Sequence, residues 1–172
     1  MGLIDTLRNT ITGDKEGPEE NDDILGTLKQ DHEDVADLLD RLANSNSATQ
    51  RKQLLVSIKE ALVPHLRAEE KVVYDAVREL RPKEQKTHAE EGYMEHALGD
   101  KMLLQLGKIG DVMSPEFSAA AKVLKELVEH HVQEEENNIW ADIEDKFSDV
   151  QRAEMNREFL AAKKRVRVRA RA

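Results

Sequence analysis

The chain alternates apolar stripes at helical spacing with polar breaks, and four stripes are long enough to build a bundle. The first helix is predicted from about Asp23 to Ala43, with Leu28, Val35, Leu39 and Leu42 on one side. Its three-to-four spacing is kept only if His32 is counted within the stripe. The second is predicted from about Gln50 to Leu80, where Leu54, Ile58, Leu62, Val72 and Ala76 share a face that also takes in His65 and Glu69. Pro64 lies inside it and predicts a kink just before His65, because proline deletes a backbone donor and crowds the preceding turn.

Thr87-x-x-Glu90 has the form of a capping box and is read as the start of the third helix. Its inner face runs through Gly92, His96, Leu103 and Leu106 to a break near Gly110. Ser114-Pro115-Glu116 is a strong start signal for the fourth, whose stripe is Phe117, Ala120, Leu124, Leu127, His131 and Glu135. Beyond Trp140 the pattern loosens, and Ser148-Asp149 opens a fifth, peripheral helix through Phe159 into a basic tail. At the other end, Leu3, Ile4, Leu7 and Ile11 mark a short amphipathic piece, followed by a Gly- and Pro-punctuated linker from Gly13.

Short inter-helix loops predict an all-α fold, an antiparallel up-down four-helix bundle with a short N-terminal helix and a peripheral C-terminal one. The expected parts are 1–22, an amphipathic segment and linker; 23–145, the bundle; and 146–172, the C-terminal helix and basic tail.

The two halves of the bundle repeat each other. His65-Leu-Arg-Ala-Glu69-Glu70-Lys-Val-Val-Tyr74 aligns without a gap on His131-Val-Gln-Glu-Glu135-Glu136-Asn-Asn-Ile-Trp140. Each copy is preceded by a lone histidine, His32 by 33 residues and His96 by 35. Four imidazoles and two carboxylates on inward faces are costly unless something pairs with them. Residues i and i+4 on a helix lie about 6 Å apart along its axis and about 40° apart around it, so they can converge on one cation. Mixed imidazole and carboxylate donors suit Fe, Mn or Zn and disfavour Ca and Mg. Two such sites sharing bridging carboxylates point first to a pair of irons. A Glu-x-x-His di-iron motif is excluded, because none of the six histidines has Glu three residues before it.

In this order on four helices, His32, His65-x-x-x-Glu69, His96 and His131-x-x-x-Glu135 resemble the haemerythrin-like HHE cation-binding domain family over about residues 23–145. The resemblance implies two non-haem Fe ions with oxo or hydroxo and carboxylate bridges. His32 and His65 would serve one iron, His96 and His131 the other, with Glu69 and Glu135 between them. The resemblance further implies O2, hydrogen peroxide or nitric oxide as the small-molecule partner. Oxygen-carrying haemerythrins have a second histidine four residues before the third-helix ligand, where this chain has Gly92. They also place Asp five residues after the fourth-helix histidine, where this chain has Glu135 at four and Glu136 at five. A site poorer in nitrogen donors favours peroxide or reactive-oxygen handling, with catalase-, peroxidase- or oxidase-like turnover, over reversible oxygen carriage. The alternative is an iron- or oxygen-responsive regulatory module without turnover, and a metal-free bundle is the weakest reading.

Several other side chains are read more plainly. Tyr93, one turn before His96, is the candidate additional ligand beside the gap at Gly92. Tyr74 and Trp140 are expected to pack between helices. Glu70, Glu95, Glu134 and Glu136 are read mainly as solvated charge, any one of which could orient an imidazole. His88 lies too far from His96 to share an ion, and His130 points away from His131.

Composition narrows the class. The 172 residues include no cysteine, which excludes disulfides and thiolate ligands. Aromatics are 3% and charged residues 35%, a helical rather than a sheet mixture. No apolar run reaches spanning length, so no membrane is expected. The start fits neither a secretory leader nor a transit peptide, which makes a cytoplasmic location the expectation. The net charge of −9 hides an uneven spread: Lys163, Lys164, Arg165, Arg167, Arg169 and Arg171 crowd the last ten residues, and the remaining 20 basic residues face 35 acidic ones. No aromatic interleaves those charges, so sequence-specific nucleic-acid binding is not expected.

Overall fold

The computed structural model describes residues 23–168, and every regular element among them is helical. The amphipathic piece and linker read within 1–22, and Arg169 and Arg171 of the tail, lie outside the described residues.

Helix α1 spans Ile24–Asn44, and the Asp23 carboxylate caps it by accepting from the amide of Leu25. Helix α2, Ala48–Glu69, is capped by Ser47 and runs on through Pro64. Departure from α geometry comes one turn later, in a π-helical turn at Glu70–Tyr74 that leads into the short α3, Asp75–Arg78. Helix α4 covers Lys83–Leu106 and α5 covers Pro115–Glu134. A second π-helical turn, Glu135–Ile139, follows α5 and passes into α6, Trp140–Lys146. Helix α7, Asp149–Arg165, starts on a complete capping box between Ser148 and Gln151.

The start of the third bundle helix differs from the sequence reading. Thr87 is not its cap. The helix begins four residues earlier, after an extended Pro82, and the Thr87 hydroxyl donates to the carbonyl of Lys83 within the helix. The run Lys83 to Lys86 consists of good helix formers, so the backbone needs no break before Thr87.

Helix α1 packs on α2 and α5, α4 on α5, and α7 across α1 and α2. The C-terminal helix is thus less peripheral than its sequence implied, since Phe159 is fully buried and Met155 and Ala162 are nearly so. The core falls into two apolar clusters. One gathers Leu39, Ile58, Leu62, Leu106, Phe117 and Leu124; the other gathers Ile24, Leu28, Val73, Val77, Ile143 and Phe159. Along each long helix the chain crosses from one cluster to the other at a polar position: His32 between Leu28 and Val35, His96 between Ala89 and Leu103. A polar layer therefore cuts the core in two, and the candidate site is that layer.

Candidate metal centre

All six of the inward histidines and glutamates are buried, Glu69 fully and His131, the most exposed, at 6%. One donor atom each from His32, His65 and Glu69 lie within 4.8 Å of one another, and so do those of Glu69, His96 and His131. Glu69 belongs to both groups. Glu135 also reaches both halves, its Oε2 standing 3.2 Å from His32 Nε2 and 3.9 Å from His131 Nε2. All four imidazoles turn Nε2 inward: His65 Nε2 lies 2.9 Å from Glu69 Oε1, and His96 Nε2 lies 3.4 Å from Glu69 Oε2 and 3.2 Å from His131 Nε2.

Their orientation is set from behind. Every one of the four histidines presents Nδ1 to a carboxylate: His65 to Asp31 at 2.9 Å, His131 to Glu95 at 2.7 Å, His32 to Glu136 at 3.1 Å and His96 to Glu70 at 3.2 Å. A carboxylate accepts, so Nδ1 carries a proton and Nε2 is left to face the layer. The pattern repeats between the halves. The acid just before each lone histidine holds the paired histidine of its own half. The acid just after each inward glutamate crosses over and holds the lone histidine of the other half. Of the four acids read as mainly solvated charge, Glu70, Glu95 and Glu136 therefore orient an imidazole; Glu134 accepts from Asn138 instead, and Asp31 joins the set.

The aromatic pair repeats in the same crossed manner. Trp140 stacks on His32, with centroids 5.8 Å and planes 16° apart, and Tyr74 lies against His96 at 5.0 Å. Tyr74 does more than pack: its phenolic oxygen is 3.0 Å from His96 Nε2. The room comes from Gly92, where a Cβ would fall 2.6 Å from Tyr74 Cζ. Tyr93 does not take the position its spacing suggested. Its hydroxyl bonds to the Glu70 carbonyl at 2.8 Å and to Asp75 Oδ1 at 2.7 Å, on the outer side of the π turn. Burial and Asp75 push that phenol up to about 12. His88 pairs with Asp142 at 3.0 Å, and the exposed His130 stands 3.6 Å from Glu95.

The electrostatics of the layer are those of a site built for cations. Burial works against charge on His32, yet Glu135 and Glu69 hold its imidazole well above the ordinary range. The same contest carries His96 up to about 9, through Glu69 and Glu70. Burial likewise opposes ionisation of Glu69, but His65, His32 and His96 keep its carboxyl well below the usual value. Burial, with Glu135, Glu69 and Glu95, drives the Tyr74 phenol well up. Even so, neither oxygen of Glu69 or Glu135, nor Nε2 of His32, makes a hydrogen bond of good geometry. Buried carboxylates left in that condition are rare unless another positive partner completes them. Four nitrogens and two carboxylates around one layer fit metal ions of the imidazole-and-oxygen class.

Comparison with known proteins places the chain. It is 30% identical over 146 residues to a DNA nickase of Nostoc sp., covering 85% of this chain and 40% of that protein. The chain thus spans well under half the length of that relative. No solved structure matches it. The Hemerythrin HHE cation binding domain family model matches residues 23–142, a stretch that contains every histidine of the layer and both inward glutamates. The chain belongs to the haemerythrin HHE cation-binding domain family.

Proposed function

We propose that the chain is a non-haem di-iron protein of the antiparallel four-helix type, which reacts with O2, hydrogen peroxide or nitric oxide and whose principal task is handling peroxide. Two irons would sit in the polar layer, one held by His32 and His65, the other by His96 and His131, with Glu69 and Glu135 shared. The observation that carries this reading is the pair of donor groups meeting at Glu69, together with buried carboxylate oxygens that accept no hydrogen bond of good geometry. When bound, such a metal pair supplies redox and Lewis-acid chemistry to a small molecule.

The protein's own part is to fix donors and exclude water. The four outer carboxylates lock each imidazole in the tautomer that offers Nε2. The two apolar clusters seal the layer above and below, which strengthens every charge interaction inside it. Tyr74 brings a phenol where oxygen-carrying relatives are expected to have a histidine, and so keeps the site short of nitrogen donors. Fewer nitrogen and more oxygen donors favour the ferric state, which suits turnover rather than reversible carriage.

Metal analysis and an optical spectrum of purified protein, followed by peroxide addition, test the reading. About two irons per chain, a near-ultraviolet band and steady peroxide consumption are expected. Absence of bound iron would overturn it.

The similarity to a DNA nickase supports a second reading, in which the metal pair assists hydrolysis of a phosphodiester. Exposed Arg165 and Arg167, at the foot of α7, offer phosphate partners. Conversion of supercoiled plasmid to the open-circular form, dependent on added metal and abolished in His65→Ala, would select this reading; intact plasmid alongside peroxide consumption selects the first.

A further inference from the structure

Helix α7 begins beyond residues 23–142, the part that carries the family match, yet two of its side chains reach the polar layer. Phe159, fully buried, packs edge-on against His65, with centroids 5.8 Å and planes 85° apart. One turn later Lys163 pairs with Asp31 through Oδ2, the same oxygen that faces His65 Nδ1. Its ammonium also stands 5.5 Å from the centre of the Phe159 ring. The Lys163 side chain is only 24% exposed, so the charge is partly withdrawn from solvent and its field is weakly screened.

The four outer carboxylates are not alike in this respect. Arg67 pairs with Glu70 at 2.6 Å, so the acid behind His96 is tempered by a cation from within the matched domain. Glu95 pairs only with His131 and the exposed His130 among the described residues, and Glu136 only with His32. Asp31 is the one whose cation arrives from outside the family's segment. A carboxylate behind a ligating imidazole draws on the Nδ1 proton and makes Nε2 a stronger donor. A cation bonded to the same oxygen competes for its charge and weakens that pull.

We propose that Lys163 is a positioning residue of the metal centre: by holding Asp31, it limits the donor strength of His65 and raises the reduction potential of the metal that His65 serves. The C-terminal helix is then a working part of the site rather than an appendage. This inference rests on the di-iron reading above, because it concerns what the imidazole does to a bound metal.

The test compares Lys163→Met, which keeps the stem over Phe159, with Lys163→Arg, which keeps the charge. In iron-loaded protein Lys163→Met is expected to lower the midpoint of one of the two one-electron steps, with iron content unchanged, while Lys163→Arg stays at the wild-type value. In zinc-loaded protein, the His65 Nδ1 proton resonance is expected to move downfield in Lys163→Met. Asp31→Asn provides a second variant of opposite sign: it should raise the midpoint, and Lys163→Met added to it should then do nothing further. Wild-type midpoints and an unmoved proton resonance in loaded Lys163→Met would overturn the inference and leave the di-iron reading standing. Wild-type protein that takes up neither iron nor zinc would remove both.

Discussion

Gly92 and Tyr74 divide a single space between α4 and the first π-helical turn: the bare backbone of one is what lets the phenolic oxygen of the other stand 3.0 Å from His96 Nε2. The ring cannot retreat, since it is fully buried against Tyr93 on one side and His96 on the other. Gly92→Ala should therefore destabilise the protein by about 1–3 kcal/mol through overpacking, although alanine alone would favour the helix by roughly 0.5–1 kcal/mol. Tyr74→Phe, which keeps the ring, should lose only about 1 kcal/mol for the missing hydrogen bond. Urea denaturation of both variants checks the order, and an unchanged Gly92→Ala would contradict it.

Glu69 contributes to both donor groups, whereas His65 contributes to one. Glu69→Gln should accordingly strip both metals from the chain, and His65→Ala should leave one per chain. Metal analysis after dialysis against weak chelator separates the two outcomes. Equal losses in both variants would mean that the two metals are held as one unit.

Removing an outer carboxylate should cost metal affinity without emptying the core. Glu95→Gln and Glu136→Gln are expected to weaken binding roughly 10–100-fold. Glu134→Gln, one residue from a layer glutamate but bonded only to Asn138 among the described residues, should leave affinity where it is. Competition titration against a chelator reads all three.

Protons and metal compete for the layer, and this sets opposite pH trends with and without metal. His96 is held at about 9 against an ordinary 6.5, so its stabilising contribution to metal-free protein is complete below 6.5 and is lost as pH rises through about 9. Glu69 is held below its ordinary 4.5, so its contribution is present above 4.5 and is lost as pH falls through the lowered value. Chelator-treated protein should be most stable between these limits, and its thermal midpoint should drop from pH 6.5 to 9. Metal affinity should climb over that same interval, because binding must displace the protons. A thermal midpoint that rises with alkalinity in metal-free protein would refute the pairing on which both trends depend.

Much of this was legible in the residues. Ser114-Pro115 and Ser148 mark helix starts that the structure keeps, because a capping hydroxyl at an extended residue is a local device. The polar layer was legible as interruptions of the apolar stripes by His32, His65, His96 and His131. What escaped was whatever depends on the two π-helical turns. In α geometry a residue five positions after Glu69 or Glu135 lies about 140° around the axis, facing away. One extra residue in the turn brings Tyr74 and Trp140 round onto the histidines, and Tyr74 thereby fills the gap beside Gly92 that the spacing of Tyr93 to His96 suggested for Tyr93. Of the outer acids, Glu70, Glu95 and Glu136 stood among the charges from which one could orient an imidazole, but that three of them do so, and that Asp31 joins them, escaped because each contact joins different helices.

The exchange of outer acids between halves ties them like clasped hands. Glu70 of the first grips the lone imidazole of the second, and Glu136 returns the gesture. Neither hairpin owns a complete set of supports, so a lesion in one is felt at its sibling's imidazole. A change to either copy of the motif therefore acts on the supports of both.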